Sequence, residues 1–255
     1  MILPSWAQDG PKAERNRHVL RQKEEGRVMT RRVLIVGGAL EPERYRPFDH
    51  WRSLLGATPS DVVDLVAGDE MPSLDGFTHL ILTGSEASIV EDQSWYVTEE
   101  DVVRDAVQRG LPILGSCFGA QMLVRALSGR EHVRRAAAPE IGWHPIEVLE
   151  EETLLDGFPN PWWAFQIHSD EACPPLPWRV LARTQACAAQ VYRFGELPVW
   201  GIQAHPEIGP EEAATFLKAV DGPAGLFRRA IEDAKNQMPR DDGLAQTIVD
   251  RFLRI

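Results

Sequence analysis

Pro112-Ile113-Leu114-Gly115-Ser116-Cys117-Phe118-Gly119-Ala120-Gln121, running on into residues 122–127, decides how the whole chain is read. Residues 112–115 are a short apolar run of strand length, and residues 122–127 have the spacing of a helix that ends near Gly129. Between them lies G-x-C-x-G, the layout of a nucleophile elbow at a strand-to-helix turn. Such a turn holds its nucleophile in strained backbone space, and side chains two positions either side would crowd it or an incoming substrate. The helix that follows aims its N-terminal amides and the positive end of its dipole at the thiol, lowering a pKa that is about 8.5 in a free cysteine. The competing reading is an ordinary buried cysteine, since free Cys is among the most buried residue types.

Upstream, residues 32–38 (RVLIVGG) form a β-branched run ending in glycines, as in a buried parallel strand that turns into a loop. No G-x-G-x-x-G follows Gly37-Gly38, so phosphate cradling lacks its motif. A helix over 48–56, strands over 61–66 and 78–83, and a helix over 97–109 stopped by Gly110 and Pro112 continue the alternation. That order predicts an α/β, flavodoxin-like three-layer fold with a central, mostly parallel sheet and ligand sites at the carboxyl ends of its strands. Downstream, strand-like runs at 141–149, 162–167, 178–182, 188–194 and 199–203 make the second half mostly β, with a helix over 210–220. Residues 225–255 keep helical apolar spacing at Leu226, Ile231, Ile248 and Phe252; they read as helices covering their own domain, or more sharply as a docking element.

We therefore expect a leader over residues 1–30, one catalytic domain over 31–220 and a C-terminal helical extension over 221–255. The leader carries Pro4, Pro11 and many charges and has no secretory pattern, and translation is expected to start at Met1 or Met29. The chain has 255 residues, 44% of them hydrophobic, and no apolar run near the ~20 residues of a membrane span. A net charge of −11 argues against nucleic acid as a partner and for a small neutral or zwitterionic substrate. Three cysteines are too few for a disulfide framework, which points to the cytoplasm, and Cys173 and Cys187 read as structural. No H-x-x-x-H or C-x-x-C is present, so neither a metal nor another cofactor is expected. The eight tryptophans read as core or rim packing rather than as stacking platforms.

A second constellation strengthens the elbow. Gln203-Ala204-His205-Pro206-Glu207 follows an apolar strand and sets a His and a Glu two positions apart, so that both can project from a strand end toward one site. Together with G-x-C-x-G it resembles the class I (triad) glutamine amidotransferases. The resemblance covers residues 33–220, and Glu140-Ile141-Gly142-Trp143 and Gln166-Ile167-His168-Ser169-Asp170-Glu171 are similar to the stand-alone GMP synthase-like and γ-glutamyl peptidase-like members.

The resemblance implies that Cys117 attacks the γ-carboxamide of glutamine or of a γ-glutamyl conjugate, forms a γ-glutamyl thioester and releases an amine. His205 would serve as base and then acid, and Glu207 would orient it. Oxyanion donors are expected at the backbone amides of Phe118 and Ser85, with Gly84 letting that loop approach closely. The resemblance places Gln121, His168 and Ser169 on the amino-acid end of the substrate; His168 also reads as a hydrogen-bonded wall residue. Two departures stand out: Gly84-Ser85-Glu86 replaces the family's usual Gly-Gly-Pro, and Ser116 replaces an aliphatic residue. The expected activities are a self-sufficient γ-glutamyl amide hydrolase, a glutaminase subunit feeding ammonia to a separate synthetase partner, or a catalytically silent regulator.

Overall fold

The protein is described by a computed structural model over residues 30–219 and 226–255. The leader expected over residues 1–30 lies, apart from Thr30, outside the described residues. Alternation in β1 (Val33–Gly37) shows why the fold has three layers. Val33 and Ile35 point into one buried cluster while Leu34 and Val36 point into another, so both faces of the strand are covered. β2 (Ser60–Asp64), β3 (His79–Leu82) and β4 (Ile113–Ser116) join β1 in parallel, and from one edge the sheet runs β2-β1-β3-β4. β9 (Val199–Ile202) pairs in parallel with β4, which carries the His-Pro-Glu stretch back beside the elbow.

Beyond β9 the pairing turns antiparallel through β8 (Val191–Phe194), β7 (Trp178–Arg183), β5 (Val133–Val148) and β6 (Trp162–Ala172). α2 (Tyr96–Arg109) and α3 (Phe118–Ser128) cover one face with Tyr96, Val103, Met122 and Leu123. α1 (Pro47–Leu55) and α6 (Ala245–Phe252) cover the other with Trp51, Leu55, Ile248, Val249 and Phe252. α4 (Pro210–Ala219) and α5 (Leu226–Lys235) build a third cluster over β5 and β6 through Ala213, Leu217, Ile231 and Ala234. Among the described residues no helix is long and apolar enough to cross a membrane.

Several boundaries differ from the sequence expectation, among them the strand expected over 162–167, which runs through Ala172, and three have a visible cause. The strand expected over 61–66 ends at Asp64, because its carboxylate accepts from the Val66 and Ala67 amides and starts a turn. The strand expected over 188–194 begins only at Val191; before it, Thr184 and Cys187 close a tight turn through Cys187 N–H to Thr184 Oγ1 at 2.9 Å. β5 starts at Val133 rather than near Ile141, and the register shift between Arg135 and Glu140 absorbs the stretch around Pro139.

Glu99 on α2 is fully buried, and neither carboxylate oxygen has a hydrogen-bond partner among the described residues. Burial, reinforced by the neighbouring Glu100, pushes its pKa up to about 8 from 4.5. The folded state thus holds a proton that the unfolded chain gives up, so stability is full below pH 4.5 and is lost as pH rises toward 8. At ~1.4 kcal/mol per pKa unit the scale is a few kcal/mol. Glu99→Leu should raise the melting temperature, with a gain larger at pH 8 than at pH 5 in thermal unfolding scans. An equal gain at both pH values would show that the side chain is ionised in the native state.

Candidate active site

Cys117 stands between the last residue of β4 and the first of α3 with φ 48° and ψ −107°, and among the described residues no other non-glycine has positive φ. Two backbone hydrogen bonds hold this conformation. Cys117 N–H donates to Ile202 O of β9 at 2.8 Å, and Gly119 N–H donates to Thr83 O after β3 at 2.9 Å. A Cβ at Gly115 would lie 2.6 Å from Gly119 O, and one at Gly119 would run into the Leu82 carbonyl. The flanking glycines thus let the elbow pack on its own backbone, which is a tighter reason than room for substrate.

His205 is set by β6, since its N–H donates to Phe165 O at 2.8 Å. Its Nδ1 lies 2.7 Å from Glu207 Oε1. A carboxylate only accepts, so Nδ1 carries the hydrogen and Nε2 is left for Cys117. The Glu207 side chain is wholly buried, and two hydroxyls hold it: Tyr45 donates to Oε1 at 2.9 Å and Ser116 donates to Oε2 at 3.0 Å. Burial alone would lower the His205 pKa, but the charges of Cys117 and Glu207 outweigh it and raise the ring to about 10. The same burial works against ionised Glu207, whose pKa is nonetheless lowered by His205 and the Tyr45 hydroxyl. Cys117 Sγ also receives Gln203 Nε2–H at 3.7 Å and sits 3.8 Å from Ile167 O.

These groups open onto a cavity of about 360 Å³. Phe118 and Ser85 both line it, and neither backbone amide has an acceptor among the described residues. Ser85 is anchored by its hydroxyl, which donates to Gly38 O at 2.6 Å and accepts from Ala87 N–H. At one end the cavity is polar. Ser88 Oγ donates to Asp170 Oδ2 at 2.6 Å and Arg135 Nη1 to Asp170 Oδ1 at 3.0 Å, with Ser169 alongside. At the other end Tyr45, Ile208, Phe216 and Phe227 form an apolar wall, with Glu41, Arg44 and Glu86 beside Tyr45.

Residues 70–219 match the sequence profile of glutamine amidotransferase class-I. The chain belongs to this family. Among curated relatives, a glutamine-hydrolyzing GMP synthase subunit of Pyrococcus abyssi is 33% identical over 114 residues, which is 44% of this chain and 60% of the relative. The glutamine-hydrolyzing GMP synthase of Aeropyrum pernix is 30% identical over 218 residues, 81% of this chain and 39% of the relative. The chain thus spans less than two thirds of the length of either. Among solved structures, a glutamine amidotransferase from Thermotoga maritima superimposes with a TM-score of 0.69 at 20% identity, over 88% of this chain and 96% of that one. One from Methylobacillus flagellatus gives 0.68 at 21% identity, over 88% and 94%. At these identities the likeness establishes the fold.

Within this amidotransferase domain, Cys117, His205 and Glu207 converge with Ser85 and Phe118, while the remaining candidates divide. Gly84 packs where a Cβ would meet Tyr45 Oη at 2.7 Å and His205 Cε1 at 2.8 Å, so it sets spacing. Gln121 lines the cavity, but its amide nitrogen donates to Asp170 O at 2.8 Å and Gln203 Oε1 at 3.0 Å. The His168 ring is buried between Asp170 O at 3.0 Å and Glu140 Oε2 at 3.1 Å, the situation of a wall residue. Glu140, His168 and Cys187 cluster closely enough to hold a metal ion. However, Glu140 Oε2 already takes His168 and Gln190 Nε2–H, and burial pushes the Cys187 thiol up to about 12, so the group reads as a hydrogen-bonded core cluster. Tyr45 and Arg135 join the site without having been singled out from sequence, and Gln203 and Asp170 join it from stretches that were quoted without giving either a role. Ser116 carried a visible signal, because it broke the family pattern.

Proposed function

We propose that this chain hydrolyses the γ-amide of glutamine or of a γ-glutamyl conjugate through a thioester on Cys117. The observation that carries the reading is the Cys117–His205–Glu207 line meeting two unengaged backbone amides in one cavity. The Cys117 proton passes to His205 Nε2, and Sγ bonds to the amide carbon. The oxyanion takes hydrogen bonds from Phe118 and Ser85 N–H, each such donor being worth roughly 3 kcal/mol. The carbon–nitrogen bond then breaks as His205 returns the proton to the leaving amine. Water, deprotonated by His205, attacks the thioester; glutamate departs and Cys117 regains its proton. Asp170 and Arg135 at the polar end suit the α-ammonium and α-carboxylate, with Ser169 and the backbone of the His168 segment completing the wall.

A second reading, a glutaminase that serves a separate synthetase partner, is favoured by the Pyrococcus abyssi relative, which is named as one subunit of a GMP synthase. Glutamate release from L-glutamine and a γ-glutamyl panel by the chain alone separates them. Turnover without a partner supports the hydrolase, and activity that appears only with an added synthetase supports the partnered glutaminase.

Ser116 supplies a sharper check on the assignment of Glu207. A hydrogen bond to a charged group contributes about 1.5–3 kcal/mol. Ser116→Ala should therefore lower kcat about tenfold with little change in KM, and Ser116→Thr should recover part of it. An unchanged kcat in steady-state assays would mean that the hydroxyl does not hold the catalytic carboxylate.

A further inference from the structure

The cavity is asymmetric about the proposed scissile bond, and this asymmetry bears on what leaves. His205 must hand its proton to the departing nitrogen, so the leaving group lies on the His205 side of Cys117. That side is the apolar one. Tyr45 packs edge-on against His205, with ring centroids 5.7 Å apart, and edge-on against Phe216 at 6.0 Å. Ile208 follows Glu207 directly in sequence and folds back, its N–H donating to His205 O at 3.2 Å. Phe216 from α4 and Phe227 from α5 are half-buried against the same cluster and line the same cavity.

Ammonia has no use for such a wall, whose apolar surface gains only by removing other apolar surface from water. A cavity of about 360 Å³ also falls in the range of ~300–1,000 Å³ that holds ligands larger than a free amino acid. The acidic residues on the rim are already engaged: Glu41 pairs with Arg44 at 2.6 Å, and Glu86 Oε2 accepts from Leu40 N–H at 3.0 Å. A cationic substituent would lose its hydration against the apolar side chains of Tyr45, Ile208, Phe216 and Phe227.

Building on the hydrolase reading above, we infer that the preferred substrate is a γ-glutamyl amide of an apolar, uncharged amine, seated with its glutamyl end on Asp170 and Arg135 and its amine substituent against Tyr45, Ile208, Phe216 and Phe227. The reaction adds water across the amide to give glutamate and the free amine.

The test compares kcat/KM of the full chain for L-glutamine, γ-L-glutamyl-benzylamide and the γ-L-glutamyl monoamide of ethylenediamine, measured as glutamate release. The benzylamide should exceed both others at least tenfold, the scale on which an apolar pocket discriminates. Phe216→Ser and Phe227→Ser should each lower the benzylamide-to-glutamine ratio about tenfold. Turnover of glutamine equal to or better than that of the benzylamide would overturn this inference and leave the hydrolase reading standing. So would a ratio that neither variant moves. If no γ-glutamyl amide is turned over, the hydrolase reading falls and this one with it.

Discussion

Cys117→Ala is expected to lower kcat/KM for γ-amide hydrolysis by at least ~10⁴-fold, because removing a nucleophile leaves only the contributions of the oxyanion donors and substrate binding. The loss should come without loss of fold. Alanine keeps a Cβ at φ 48°, so the elbow retains its strain, and the backbone bonds of residues 117 and 119 to Ile202 and Thr83 are untouched. Melting temperature should shift by less than about 4 °C, corresponding to under ~1 kcal/mol for a chain of this size. Cys117→Gly should be equally inactive yet more stable than the alanine variant, since glycine releases part of the ~1–3 kcal/mol held in such a conformation. Mass spectrometry of parent protein quenched in acid during turnover should reveal a glutamyl adduct on the peptide containing Cys117. Activity retained in the alanine variant would remove both the nucleophile and the thioester from the mechanism.

Sequence made the elbow and the parallel half of the sheet legible because both are local. Residues 33–36 are apolar at every position, which only a strand covered on both faces requires, and a nucleophile flanked by glycines at a strand end names its own geometry. Strand pairing was not legible. Periodicity says which face a residue serves and nothing about its neighbour, so the return of β9 to the centre beside β4, which joins His205 to Cys117, had no signal in any single window. The opening of β5 stayed hidden because Arg134, Arg135 and Pro139 argue against a strand, and only pairing with β6 around the register shift makes it one.

The same limit governs the site. Tyr45 reaches Glu207 from a loop 162 residues away, and Gln203 meets Cys117 across 86 residues, so neither contact leaves a local pattern. Ser116 shows the opposite case. A polar residue at a position buried to 1% needs a partner, and Glu207 Oε2 is that partner. The break in the family pattern is thus half of a pair whose other half, Glu207, was already in view.

Glu207→Gln should lower kcat by ~10³–10⁴-fold and move the alkaline limb of its pH profile downward. In the parent, the charges of Cys117 and Glu207 raise the His205 pKa to about 10, so the imidazolium that forms when Cys117 gives up its proton persists to high pH. Its contribution to stability is full below 6.5 and lost as pH rises through 10, whereas that of Glu207, with its lowered pKa, is lost as pH falls. Glutamine at this position removes the negative charge and offers one acceptor oxygen where His205 and Tyr45 now share Oε1 and Ser116 takes Oε2. The ring then loses both the partner that fixes its tautomer and one of the two charges that lift its pKa. Proton return to the leaving amine should fail at a lower pH, and the rate of Cys117 alkylation by iodoacetamide should fall at neutral pH, because a less basic His205 draws the thiol proton less strongly. A variant with reduced kcat but an unmoved alkaline limb would leave Glu207 positioning His205 without setting its charge. The two readouts separate a carboxylate that positions His205 from one that also sets its charge, since only the second moves the profile.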